Sequence, residues 1–283
     1  MTRAVVVGYA SVDTCVGVDR FEGVGRTSLI SRAARQPEAG GIARLFAGLK
    51  AFKCAAISWV GKDAGSQMWV DTLNRMGVDT TGVTALEGGA PSAYLFHSAS
   101  GETVCFFDPG VADAGAMLVP EEQSATVSAA DVVVIAVGPS RVTREVLARI
   151  SDTCTLVWIV KADPDAFPLS LRTQLLDRAD IVVHSHQEDG FVREAAGGAV
   201  KSLIIRTAGA ESVHWARGDA AGQVPVQAVA SGVDATGAGD WFAGHLIGAL
   251  LSGSGVTESI ESAVKATHQY LDRKSTRLNS SHT

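Results

Sequence analysis

Asp234-Ala235-Thr236-Gly237-Ala238-Gly239-Asp240 runs directly into Trp241-Phe242-Ala243-Gly244-His245-Leu246-Ile247-Gly248-Ala249-Leu250-Leu251, which is apolar apart from His245. The pattern predicts a small-residue turn feeding a buried helix. Gly237, Ala238 and Gly239 carry almost no side chain, so their backbone N–H groups can approach an anion closely, with the positive end of the helix dipole behind them. Such a turn cradles phosphate. Asp240 stands at the helix start, where a carboxylate caps free N–H groups. Beside a phosphate nest, however, a carboxylate is electrostatically awkward unless it has chemical work, and removing a hydroxyl proton is such work. The bland alternative is a glycine-rich turn with an ordinary Asp cap; the two acids bracketing Thr236-Gly237-Ala238-Gly239 count against it.

Outward from that turn, the chain of 283 residues suits one large domain, alone or with a small appendage. A formal net charge of −6 argues against a protein that holds nucleic acid by its phosphates. The apolar run Val132 to Val137 is too short to span a bilayer, and Met1-Thr2-Arg3 leads straight into a strand rather than a signal segment, so no membrane partner and a cytoplasmic location are expected. Cys15, Cys54, Cys105 and Cys154 lie far apart, without paired spacing for metal or redox chemistry, and read as buried, reduced thiols.

Ala4-Val5-Val6-Val7-Gly8 reads as a buried strand, carried on to Asp13 at its carboxyl end, where α/β folds gather ligands. Asp13 fits a ligand contact and the start of a turn equally well. Residues 14–39 lack helical periodicity and read as short strands outside the main sheet. Gly40-Gly41 then opens a predicted helix over 40–49, with Ile42, Leu45, Phe46 and Leu49 at core spacing. A helix placing Trp69, Leu73 and Met76 on one face follows Val60-Gly61-Lys62-Asp63, and residues 93–107 read as a hairpin around Ser98 to Glu102. Its aromatics, Tyr94, Phe96, Phe106 and Phe107, read mainly as packing residues, with stacking on a ligand as the alternative. From residue 129 strand and helix alternate, with helices expected near 141–150, 168–178 and 188–196, which means a parallel sheet with helices on both faces. His184-Ser185-His186 with Glu188 suggests zinc, but a third ligand at fixed spacing is missing.

Asp234 to Asp240 closely resembles the second signature of the ribokinase-like (PfkB) carbohydrate kinases, Asp-Thr-x-Gly-Ala-Gly-Asp, with Ala235 in place of the usual Thr. Gly40-Gly41 resembles the first signature, Gly-Gly-x-x-x-Asn-x-Ala, with Leu45 where the substrate-contacting Asn belongs. The resemblance spans residues 4–271. It implies a central, mostly parallel sheet with helices on both faces and a small β lid from about 14–39 and 88–110. It also implies ATP, Mg²⁺ and K⁺ as cofactors and a sugar or nucleoside as acceptor. Asp240 would be the catalytic base, with Gly237, Ala238 and Gly239 as the anion hole. Asp13, Gly40 and Gly41 would hold the acceptor. Thr207, Gly209, Asp234 and Thr236 would meet the nucleotide, although Thr207 and Gly209 could equally form a plain strand-to-turn junction, and Ser212 replaces the last Gly of the family's loop there. Glu188 would organise Mg²⁺ through water, although Ser185 replaces the family's Asn. A homodimer through the lid is the family habit.

Two other classes compete. A non-catalytic sugar or nucleoside sensor on the same fold would explain Leu45 and Ser185, whereas retention of Asp240 favours chemistry. A nicotinamide oxidoreductase would need Gly-x-Gly-x-x-Gly after the first strand, which offers only Gly8 before Asp13. After the amphipathic stretch 257–271 the pattern stops. Residues 272–283 read like the translation of a sequencing adapter, hence as a tail that is not native, standing where family members continue with residues that shape the adenine pocket and help bind a monovalent cation.

Overall fold

The computed structural model describes residues 2–32, 36–113, 121–198, 200–227 and 234–280. In it Arg3–Val7 forms β1, whose side chains alternate between two hydrophobic cores: Ala4 and Val6 face one, Val5 and Val7 the other. A strand apolar on both sides belongs inside a parallel sheet covered on both faces. The chain continues through β2 (Val12–Val18), β3 (Ile30–Arg32), β4 (Glu38–Ala39), β5 (Lys53–Val60), α1 (Ala64–Arg75), β6 (Val83–Ala85), β7 (Ser92–Ser98) and β8 (Thr103–Asp108). Then come α2 (Glu121–Ser128), β9 (Val132–Ile135), α3 (Ser140–Leu147), β10 (Thr155–Ile159), α4 (Leu169–Arg178), β11 (Ile181–Ser185) and α5 (Asp189–Ala195). Last are β12 (Leu203–Thr207), β13 (Ser212–Arg217), β14 (Ala220–Pro225), α6 (Ala238–Leu251) and α7 (Val256–Ser280).

The main sheet runs β14-β13-β12-β11-β10-β9-β1-β5-β6. It is parallel from β12 to β6, and β13 and β14 add an antiparallel edge. From β1 the chain builds toward β5 and β6, then crosses to β9 and builds the other way. The carboxyl ends of β1 and β9 therefore form the switch point at which a ligand crevice opens. A second, smaller sheet runs β3-β2-β7-β8, with β4 on β2, and contains the expected hairpin as β7 and β8.

Three expectations about the elements differ from the structure. Gly41–Gly48 is a 3-10 helix, not an α-helix. It crosses α6 backbone against backbone: a Cβ on Gly48 would meet the carbonyl carbon of Gly244 at 2.2 Å, and one on Gly248 would meet Gly48 O at 2.1 Å. The slimmer 3-10 form suits that approach. Gly248→Ala should push the two helices apart at a cost of about 1–3 kcal/mol; an unchanged urea midpoint would show that the crossing has slack.

Asp13 is the second difference. β1 ends at Val7 and the chain leaves the main sheet, so Asp13 belongs to β2 of the small sheet. Gly8 requires that departure to be tight, since a Cβ there would lie 2.7 Å from Ile42 Cγ2 and 2.8 Å from Val137 O. Third, α7 does not stop at Leu271 but continues to Ser280, through Arg, Lys and Leu residues of good helix propensity. Among the described residues, no helix is long and apolar enough to cross a membrane.

Candidate active site

Glycine is required at position 237 for two reasons. It caps α6 with φ +77°, and a Cβ there would lie 2.3 Å from Arg44 Cδ. The turn it makes brings Asp240 into the first turn of α6. Ala238 N–H donates to Ala235 O at 3.0 Å, so one of the three N–H groups expected to face an anion is engaged within the turn.

Across from the turn, Arg44 is 8 % exposed, and its Nη1 donates to Asp13 Oδ2 at 2.5 Å. Ser11 Oγ donates to the other oxygen of Asp13 at 2.6 Å. Asp13 also presses on the glycine pair, because a Cβ on Gly40 would overlap its carboxylate at 2.1 Å. Gly40 is held from behind by Trp69 Nε1, which donates to its carbonyl at 3.1 Å. Arg44 Nη2 is buried without a hydrogen-bond partner among the described residues, with Glu38 Oε2 3.8 Å away.

Burial pushes the Asp240 carboxyl up to about 6; Arg44 and Lys161 oppose the shift, and Asp13 adds to it. Burial also disfavours ionised Asp234, but Lys274 and the hydrogen bonds from Thr236 outweigh it and hold that group down to about 2. Burial works against the Arg44 charge as well, and Asp13 more than compensates, so the guanidinium stays protonated. Lys274 Nζ lies 3.0 Å from Asp234 Oδ2 and donates to Thr236 O at 3.1 Å; Tyr270 OH donates to the same carbonyl at 3.0 Å.

Two cavities meet at the turn. One, of about 640 Å³, is lined by Asp13, Gly41, Arg44, Lys161, Gly237 and Asp240, together with residues of the small sheet. The other, of about 250 Å³, is mostly apolar and lies between the β12–β13 turn, α6 and α7; Thr207, Gly209, Val213, Gly239 and Phe242 line it. The structure thus brings Asp13, Gly41, Gly237 and Asp240 together, and separately Thr207, Gly209, Ala238 and Gly239. Asp234 and Thr236 line the first cavity, not the second with Thr207 and Gly209. Glu188 lines neither: its Oε2 accepts from Ser185 N–H at 2.8 Å in a capping box. Electrostatically it still reaches Asp240.

Arg44 and Lys161 belong to none of the motifs in the sequence. Each carried a signal, Arg44 as a lone cation inside the apolar run Ile42 to Phe46, Lys161 as a charge just beyond the carboxyl end of a parallel strand. Nor are all four thiols buried, since Cys105 is exposed and Cys15 half-buried. His184 Nδ1 faces Ser185 O at 2.9 Å and Asp189 at 3.5 Å, and it belongs to no potential metal cluster among the described residues.

A doubly wound α/β sheet, a small accessory sheet and a glycine-rich turn between a polar and an apolar cavity define the class of protein. The sequence matches the profile of the pfkB family carbohydrate kinases over residues 1–283, and the chain belongs to that family. Solved structures with the same fold include a nucleoside kinase of the ribokinase family from Methanocaldococcus jannaschii, at 17 % identity and TM-score 0.80, covering 95 % of this chain and 91 % of that chain. A ribokinase from Cryptococcus neoformans var. grubii serotype A in complex with ADP aligns at 20 % identity and TM-score 0.81, covering 95 % and 93 %. Arabidopsis thaliana ribokinase complexed with ribose and ATP aligns at 20 % and 0.75, covering 95 % and 92 %. At these identities the likeness shows the fold. A search of curated protein sequences finds no match.

Proposed function

We propose that the protein is an ATP-dependent kinase that phosphorylates a hydroxyl of a sugar or sugar-like acceptor, a nucleoside included. The observation that carries this reading is Asp240, a carboxylate pushed up to about 6 at the mouth of a glycine turn between a polar and an apolar cavity. A base poised near neutral pH can take a hydroxyl proton while remaining largely ionised. The acceptor occupies the polar cavity against Asp13, Gly40 and Gly41, and Arg44 Nη2 offers the donor that buried Leu45 cannot. Adenine lies in the apolar cavity by Thr207 and Gly209. As Asp240 receives the proton, the acceptor oxygen attacks the γ-phosphorus, the bond from that phosphorus to the β,γ-bridging oxygen breaks so that ADP leaves, and the N–H groups of Gly237 and Gly239 stabilise charge on the transferred group.

Mg²⁺ carried with the nucleotide would neutralise phosphate charge, and Glu188, anchored by the Ser185 N–H and within electrostatic reach of Asp240, would order its water shell. The stand-in for K⁺ is the Lys274 ammonium, on Asp234 Oδ2 and Thr236 O, an oxygen pair that fits a monovalent cation. A homodimer through the small sheet is supported by its exposed aromatics, Tyr94 at 48 % and Phe106 at 62 %.

ADP release with Mg-ATP and K⁺ across pentoses, hexoses, their phosphates and nucleosides tests the reading. Turnover on one acceptor is expected. Ligand binding without ADP formation on any acceptor would instead make the protein a sensor. We also propose that residues 272–283 are not native, and the same assay on a chain ending at Leu271 measures what that tail contributes.

A further inference from the structure

Cys15, His97 and Asp234 each bring a ligand atom to within 4.8 Å of the others. They come from three places: β2, β7 and the segment leading into the glycine turn. His97 Nε2 is 3.5 Å from Asp234 Oδ1 and 2.8 Å from Thr236 Oγ1, and Cys15 Sγ is 3.8 Å from that same hydroxyl. The other ring nitrogen, Nδ1, is 2.9 Å from Thr103 Oγ1 on β8. With Nδ1–H donated to Thr103, Nε2 accepts from the Thr236 hydroxyl inside the cluster, and outer contacts of this kind also hold a metal-binding imidazole. Lys274 engages Oδ2 of Asp234, while Oδ1, which accepts the Thr236 N–H at 2.9 Å, lies on the His97 side.

Thiolate, imidazole and carboxylate together select a borderline-soft ion such as Zn²⁺, whereas Mg²⁺ prefers an all-oxygen shell. Tetrahedral zinc bond lengths put neighbouring ligand atoms about 3.3–3.6 Å apart, so the cluster needs a contraction of only about 1 Å. We propose that Cys15, His97 and Asp234 bind a zinc-class divalent ion, with the Thr236 hydroxyl or water completing the shell. On binding, the Cys15 S–H bond breaks, sulfur bonds to the metal and the proton passes to solvent; no electron is transferred. The bound ion ties the small sheet to the turn that carries Asp240. The binding itself does not depend on the kinase reading.

The reduced full-length protein is titrated with Co²⁺, and the thiolate-to-cobalt charge-transfer band is followed in the near ultraviolet. One ion per chain should produce the band, and Zn²⁺ should displace it. Cys15→Ser should abolish the band, while Cys105→Ser, whose exposed thiol on β8 lies outside the cluster, should keep it. His97→Ala should weaken Co²⁺ binding by at least about tenfold, since even outer-shell changes cost that much. The wild-type titration depends on no variant folding, and absence of a band at saturating Co²⁺ overturns the proposal. So does a band that survives Cys15→Ser or disappears in Cys105→Ser.

Discussion

Asp240→Asn is expected to lower kcat by about 10²–10⁴-fold, the usual contribution of a positioned general base, while making the folded chain more stable at neutral pH. The two effects have one cause. The structure holds the Asp240 carboxyl up near 6, above its ordinary value of 3.8, because burial disfavours the charged form. A raised carboxyl binds its proton more tightly folded than unfolded. Its stabilising contribution is therefore complete below about pH 3.8 and is lost as pH rises through 6, so that at pH 7 the ionised group works against folding. Asparagine removes that cost, on the order of 1–3 kcal/mol, and Tm should rise by several degrees at pH 7 but not at pH 3.5. In the wild type kcat/KM should fall on the acid side with a midpoint near 6. Full activity in the asparagine variant would remove Asp240 from the chemistry, whatever its stability.

Arg44→Leu should be the most destabilising single change at the site. The Asp13 side chain is 6 % exposed and would lose its charge partner. Breaking a buried pair by removing one member costs about 3–5 kcal/mol, which a urea titration resolves easily. Replacing both partners, as Asp13→Asn with Arg44→Leu, should recover much of that loss, since no charge is then left buried without an opposite. Activity should not recover, because both groups line the cavity proposed to hold the acceptor. Arg44 also pulls the Asp240 carboxyl down, so in any variant lacking the guanidinium the acid limb must move to higher pH. A limb that stays in place while stability drops would confine Arg44 to a structural role.

Much of this protein was legible along the chain because the information is local. Val132-Val133-Val134-Ile135 is apolar at every position and β-branched throughout, as suits a strand buried on both faces, and its side chains do divide between the two cores. Asp234 to Leu251 joins a small-residue turn to an apolar helix, and it folds as that turn and helix, with Gly237 in the left-handed conformation that glycine permits. Neighbouring residues suffice for both readings.

Tertiary structure decided what depends on residues far apart in sequence. Arg44 meets Asp13 across 31 positions, and the pair converts an acid that read as either a ligand or a turn residue into half of a buried ion pair. The crossing of Gly48 with Gly244 and Gly248 selected a 3-10 helix over the α-helix that side-chain periodicity predicts, because periodicity reports which face is apolar and not how closely two backbones approach. Cys15, His97 and Asp234 show no metal spacing along the chain, yet they converge because β2 pairs with β7 and the turn before α6 packs beneath both. Hydrophobic periodicity and turn chemistry act over a few residues and so are written in sequence order. The distances between charges and ligand atoms follow from strand order and helix crossings, which only the assembled chain determines.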